Sequence, residues 1–547
     1  MGLGGLGKIL IIGGGPAGLG AAWRLHESGH TNWELFEKDG HVGGLAASHV
    51  DASGFTWDLG GHVVFSHYRY FDDLLDRLLN GQWVRHERQA WVWMRDRFIP
   101  YPLQNNIRHL PTPELIECLE GLLDAHDHGR ASVPARPSSM GILPMSITGV
   151  PPVEGQGQAC PERSRRDGPA THGRDAHATQ SCEDARPTFS DWIVHSFGAG
   201  LARVFFNPYN FKVWATDPAQ MSSSWVGERV AAVDLKRILR HIIEGRDDLG
   251  WGPNATFRFP LHGGTGRIWQ AIAERLPAGR LHLGAEVTAI DGQRKIVHLR
   301  DGTAANYDWL ITTMPLDHLV SRVSDPVCSD AVRRFSCRGR PALESRAGSP
   351  RHTRQCPHGH TKNLRYSSTH IIGVGLAGPV PEHLATKCWV YFPEPELPFY
   401  RVTVFSNYSP NNVAQPGRQW SLMAEVSESA DRPVDRASVV RQMIDGLKAA
   451  RLLGPGAAVE SVWHQRIEHG YPTPFLQRDA LLDQIEPVLY SMKILSRGRF
   501  GAWKYEVGNM DHSFMQGVEA VNHVLFGEPE TTLRSPAVVN APRPSGR

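Results

Sequence analysis

Residues 8–37, KILIIGGGPAGLGAAWRLHESGHTNWELFE, decide the fold. Residues 8–12 are a short apolar run that reads as a buried strand. Gly13, Gly15 and Gly18 follow as GxGxxG, and PAGLGAAWRLHESG then reads as a helix closed by Gly29. A second strand, WELFE, ends at Glu37, roughly 20 residues past the glycines, as a dinucleotide site requires. Glycines let the backbone approach a pyrophosphate, and the N–H groups of the helix start face its charge. Glu37 would accept hydrogen bonds from a ribose. Gly2, Gly4 and Gly7 match the same pattern with no strand before them, so the strand, helix and acid carry the assignment.

Just beyond lies a second glycine pair, Gly43-Gly44. A pair at this point is a feature of two-dinucleotide-fold flavoproteins, which ranks FAD ahead of NAD. The 547 residues suit three or four domains or one elaborate enzyme, at roughly 150 residues per domain. Lys+Arg is 58 and Asp+Glu is 56, a net charge of +2 that excludes a polyanion binder driven by gross charge. Any anion site is therefore local, and no nucleic-acid partner is expected. No apolar run approaches the roughly 18 residues of a membrane span, so no membrane partner is expected either. Seven cysteines without CxxC make no disulfide framework, and with no signal-peptide pattern a cytoplasmic location is the expectation.

Longer motifs follow in order. They are GFTWDLGGHVVFSHYRYFDDLLD (54–76), YPLQNNI (101–107), PYNFKVWA (208–215), WVGERVAA (225–232) and WGPNATFRFPLHGGTGRIW (251–269). The series continues with YSSTHIIGVGL (366–376), CWVYFPEPELPFYRVTVFSNYSP (388–410), HGYPTP (469–474) and SRGRFGAWKYEVGNMDHSFMQGVEA (496–520). Together they resemble the UDP-galactopyranose mutases of the eukaryotic type, from near the N-terminus to about residue 527.

The resemblance implies an isomerase. UDP-galactopyranose and UDP-galactofuranose would be interconverted through a covalent adduct of the sugar with N5 of reduced FAD, with no net redox change. NADPH would be the reductant; no second nucleotide fingerprint is evident, so it would use the substrate cleft. His62, Arg401 and Arg499 would carry catalysis, the arginines as cations for the diphosphate and sugar. Gly60 and Gly61 would lie against the isoalloxazine, and Gly508, Asn509 and Ser513 at the helix start that closes over it. Tyr391, Tyr471 and Tyr505 would hold the diphosphate, Tyr101 and Gln104 the uracil, and Asn210, Trp214, Arg229 and Asn254 the galactose or the flaps around it. Leu103 stands where the family often has an aromatic, removing one stacking surface. The rival readings are an FAD-dependent oxidoreductase of the amine-oxidase or protoporphyrinogen-oxidase type, and an inactive relative disrupted by insertions. The sequence leaves the oligomeric state open.

The expected architecture is α/β. A discontinuous Rossmann-like FAD domain takes residues 1–90, 250–320 and 490–527; a helical domain spans 105–248; an antiparallel substrate-side sheet takes 83–104 and 366–470. Residues 132–186 and 337–363 are rich in Pro, Gly, Ser, Arg and His and read as disordered insertions. In the second, His352, Cys356, His358 and His360 fit no zinc module, so no metal is expected. Residues 528–547 read as a frayed tail.

Overall fold

The computed structural model describes residues 7–131, 187–231, 233–249, 255–324 and 364–541. Both expected insertions, 132–186 and 337–363, lie outside the described residues, as does Asn254.

A five-stranded parallel sheet forms the first layer, in the order Ile494–Ser496, Trp309–Thr312, Ile9–Ile12, Trp33–Glu37, Leu281–Leu283. All four residues of Ile9–Ile12 are buried, as a parallel strand covered on both faces requires. Helix Pro16–Glu27 follows and packs along helix Met510–Phe526. Glycines let them touch: a Cβ on Gly20 would lie 2.2 Å from the Phe514 carbonyl oxygen, and one on Gly517 1.9 Å from that of Ala17. The first and last motifs of the chain are thereby locked together.

The second layer is a seven-stranded sheet, in the order Val459–Pro472, Tyr366–Ala377, Gln419–Glu428, Arg401–Val404, Trp389–Tyr391, Ala90–Met94, Arg97–Pro100. It is antiparallel except where Trp389–Tyr391 runs parallel to Ala90–Met94, which departs from an all-antiparallel expectation. Register does functional work here. Tyr391 stands opposite Arg401, Arg401 opposite Glu425, and Ser367 opposite Tyr471. Side chains far apart in sequence thus meet.

Helices Thr112–Ala131, Phe189–Leu201 and Asn207–Trp214 cover one end. Thr188 and Asp191 close a capping box at the start of the second. A π-helical segment, Ala202–Phe206, joins it to the third and widens the turn that carries Phe205 and Phe206.

Three elements differ from the sequence reading. Trp83–Glu87, expected in the substrate-side sheet, pairs instead with Thr256–Pro260 in a separate two-stranded sheet. Inside 366–470 lies a helix, Val439–Ala449, whose Val439, Met443 and Leu447 form a buried stripe at helical spacing. The tail is not frayed over its described part. Glu530 makes a two-pronged ion pair with buried Arg497, at 2.5 and 2.6 Å, and Thr532 binds Glu519. These anchors are polar, so hydrophobic patterning does not reveal them. No helix among the described residues is long and apolar enough to cross a membrane.

Candidate active site

The dinucleotide motif takes the geometry its residues dictate. Gly13 has φ +100°, and a Cβ on Gly18 would lie 1.8 Å from the Gly13 carbonyl oxygen. Gly15 faces Gly44 across bare backbone, and Gly43 has φ +110°. Gly15 caps helix Pro16–Glu27 with no side-chain hydrogen bond, leaving first-turn N–H groups for an anion. Glu37 is buried, and its carboxylate accepts from Gly14 N–H at 2.5 Å and Asp39 N–H at 2.8 Å.

A cavity of about 380 Å³ opens beyond this end, a size suited to a small ligand. On one side lies the turn Gly60-Gly61-His62, with Gly60 at φ +137°. Asn509, Met510 and Asp511, at the start of helix Met510–Phe526, also line it, and this helix again has no side-chain cap. Gly508 sits just behind, its carbonyl accepting from Arg499 Nε at 2.9 Å. Ser513 is buried one turn into the helix, away from the cavity lining. His67 also faces the cavity and is tied to Asp511 by its backbone N–H (2.9 Å) and by Nδ1 (2.7 Å).

Four guanidinium groups, Arg88, Arg229, Arg401 and Arg499, line the cavity against two carboxylates, Glu425 and Asp511. The balance favours an anion, although the net charge of the whole chain is near zero. Arg401 is not a free cation. Its Nε and Nη2 donate to Glu425 at 2.8 and 2.9 Å, so its unengaged Nη1 is the end open to a ligand. Glu425, 1% exposed, also accepts from Tyr400 Oη at 2.6 Å and Gly61 N–H at 3.1 Å. One carboxylate therefore ties the Gly60-Gly61 turn to Arg401. Arg499 stands 5.5 Å from the Tyr471 ring and Arg229 5.3 Å from the Tyr505 ring.

Burial pushes His62 down to about 3, helped by the positive charges of Arg499 and Arg401. The imidazole is neutral at any ordinary pH. Burial raises Tyr391 and Tyr471 above the usual phenol range, so both hydroxyls remain protonated donors.

Aromatic rings build the remaining walls. Trp214 meets Tyr505 at 4.8 Å and Tyr471 at 5.9 Å, and Tyr391 meets Tyr101 at 5.0 Å. Gln104 lines the cavity with its Nε2 held by the Ala231 carbonyl and its buried Oε1 unpartnered. Leu103 is buried in the helical core and does not line the cavity. Asn210 faces the cavity, its Nδ2 donating to the Phe206 carbonyl at 2.8 Å.

Sequence reasoning missed Glu425, Tyr400, Tyr209, Phe205 and Arg88 in this lining. Glu425 left one signal, a lone acid within the largely apolar run WSLMAEV.

The family model for flavin-containing amine oxidoreductases matches residues 16–525. A crystal structure of reduced UDP-galactopyranose mutase aligns at a TM-score of 0.80 and 44% identity, covering 98% of this chain and 99% of that one. The chain belongs to the flavin-containing amine oxidoreductases, in the UDP-galactopyranose mutase family.

Two more distant structures share the fold alone. Cyclohexylamine oxidase from Brevibacterium oxydans aligns at TM-score 0.59 and 12% identity, over 95% of this chain and 99% of that one. A fatty acid isomerase from P. acnes aligns at 0.56 and 14%, over 94% and 98%. Among curated proteins, a 4,4'-diaponeurosporene oxygenase from Staphylococcus haemolyticus is 39% identical over 69 residues, which is 13% of each chain. FAD is the cofactor of a mutase-family protein, and the residues fit it. The side chains that would block a pyrophosphate are missing at Gly13, Gly15 and Gly44, Glu37 stands beside Gly14 where a ribose would be held, and the helix starts at Gly15 and Asn509 carry no side-chain cap.

Proposed function

We propose that this protein interconverts UDP-galactopyranose and UDP-galactofuranose. One observation carries the reading: guanidinium groups and tyrosines converge on a cavity that also takes in the Gly60-Gly61-His62 turn and the start of helix Met510–Phe526. An oxidase of an uncharged or cationic substrate has no use for such an anion clamp. The 44% identity to a mutase over nearly the whole chain supports the same choice.

When bound in the reduced form, FAD would supply a nucleophilic nitrogen for the anomeric carbon, with no net redox change. The protein does the rest by position and charge. Arg499, Arg229 and the Nη1 end of Arg401 hold the diphosphate as its bond to the sugar breaks, stabilising the leaving group without moving a proton. The hydroxyls of Tyr391, Tyr471 and Tyr505 donate to the same oxygens. Tyr101 gives the uracil a flat face, and the unpartnered Gln104 Oε1 accepts from its N3–H. Asn210 and Trp214 border the galactose, with Asn254 proposed beside them from sequence alone. His62, held neutral, adds no charge beside the flavin, and Gly60 and Gly61 let backbone reach it. The positive end of helix Met510–Phe526, with Gly508 and Asn509, would stabilise the reduced anion, whereas Ser513 lies a turn inside the helix and supports that end from behind. NADPH is taken as the reductant, entering the same cavity, and the cytoplasm as the location.

The test uses Arg401→Ala and Arg499→Ala with FAD bound. Each should weaken UDP binding and lower kcat/KM about 100-fold or more while flavin content stays normal. Near-normal turnover in both would remove the clamp from the account.

A further inference from the structure

The C-terminal segment binds a backbone carbonyl that a cavity-lining arginine also binds. Arg229 reaches the cavity from the short turn Gly227–Arg229. Its Nη2 donates to the backbone carbonyl of Glu506 at 2.8 Å, while its Nη1 is buried without a partner. What aims this guanidinium is therefore a carbonyl rather than a carboxylate, so its charge is not cancelled by the group that holds it. A carbonyl aims a side chain well only if its own peptide is fixed.

That peptide is fixed from two directions. The Glu506 side chain forms a buried two-pronged ion pair with Arg478, at 2.7 and 2.8 Å. The Glu506 carbonyl accepts a second donor, the Nδ2 of Asn540, at 3.0 Å. Asn540 is 8% exposed and lies in the C-terminal segment. The segment is seated independently through Glu530 on Arg497, two residues before Arg499, and through Thr532, whose hydroxyl lies 2.7 Å from that of Tyr68, next to cavity-lining His67. It touches three stretches of chain that feed the site.

We infer that Asn540 is a positioning residue for Arg229, acting through the Glu506 carbonyl that both donors share. A carbonyl oxygen has two lone pairs, and with one held by Asn540 the other keeps a fixed direction for Arg229 Nη2. Without Asn540 the Glu506 peptide can tilt, and the free Nη1 end no longer points where an incoming diphosphate needs it.

The inference rests on the mutase reading for its substrate but is tested by a double-mutant cycle that also reads UDP binding. Asn540→Ala should lower kcat/KM and UDP affinity about tenfold, the scale of one hydrogen bond. In an Arg229→Ala background the same change should cost less than about twofold, because its target is gone. Asn540→Leu, which keeps roughly the same volume and removes the donor without adding charge, should behave like Asn540→Ala. Leu533→Ala, which loosens the tail without touching the carbonyl, should lower Tm and leave kcat/KM unchanged. Equal losses from Asn540→Ala with and without Arg229, or normal kcat/KM in both Asn540 variants, would overturn the assignment. If the wild-type protein binds UDP but turns over no UDP-galactofuranose, the mutase reading fails and the cycle is decided on UDP affinity. If it binds no UDP, both fall.

Discussion

Asp58 illustrates the single-residue scale. It ends the buried strand Thr56–Asp58, just before the Gly60-Gly61 turn, and is fully buried. Burial pushes its carboxyl up to about 7, although Ser48 and Thr265 donate to it. A neutral acid fits there, because Thr265 Oγ1 can turn to the Ala46 carbonyl, 3.3 Å away, and accept from Asp58. The unfolded chain gives up this proton near the ordinary value of 3.8. Stability from the protonated acid is therefore complete below about pH 4 and is lost as pH rises towards about 7, at up to about 1.4 kcal/mol per pH unit. Melting curves from pH 4.5 to 8 should show the wild-type protein losing Tm with rising pH relative to Asp58→Asn. Parallel curves would mean that Asp58 is ionised throughout. At this scale the sequence was only partly legible. Arg401 and Arg499 stand in recognisable motifs, but Glu425 meets Arg401 through strand register across 24 positions, which no linear spacing displays.

Elements were more legible where apolar periodicity was strong and less so where polar atoms or glycine contacts decide. The strand Ile9–Ile12 and the helix after it follow directly from their patterns. The helix Val439–Ala449 was lost among strands because its stripe is short. The order of the tail is invisible to apolar periodicity because Glu530, Thr532 and Asn540 hold it by hydrogen bonds and ion pairs. Packing of Thr112–Ala131 on Phe189–Leu201 turns on glycine. Gly198 has φ +76°, and a Cβ there would lie 2.1 Å from the backbone of Gly121. Gly198→Ala should therefore destabilise the protein by about 2 kcal/mol or more, through both left-handed strain and helix separation. Calorimetry would check this, and an unchanged Tm would show that the helix pair can separate at no cost.

At the scale of the whole molecule, the site joins two sheets whose strands are scattered along the sequence. The parallel sheet holds the dinucleotide motif, and the seven-stranded sheet brings Tyr391, Arg401, Glu425 and Tyr471 together. The order of motifs was legible because each is long. The cavity they enclose was not, since it depends on strand order and on a turn tied to Arg401 through Glu425. The central claim is that this cavity performs an isomerisation that needs reduced flavin without consuming electrons. The direct measurement incubates the purified, FAD-loaded protein with UDP-galactofuranose, with and without dithionite, and follows the UDP-sugars by chromatography. Conversion to UDP-galactopyranose under reduction, and none without it, is the predicted result. Bound, reduced flavin with no conversion, or equal conversion in the absence of any reductant, would contradict the account.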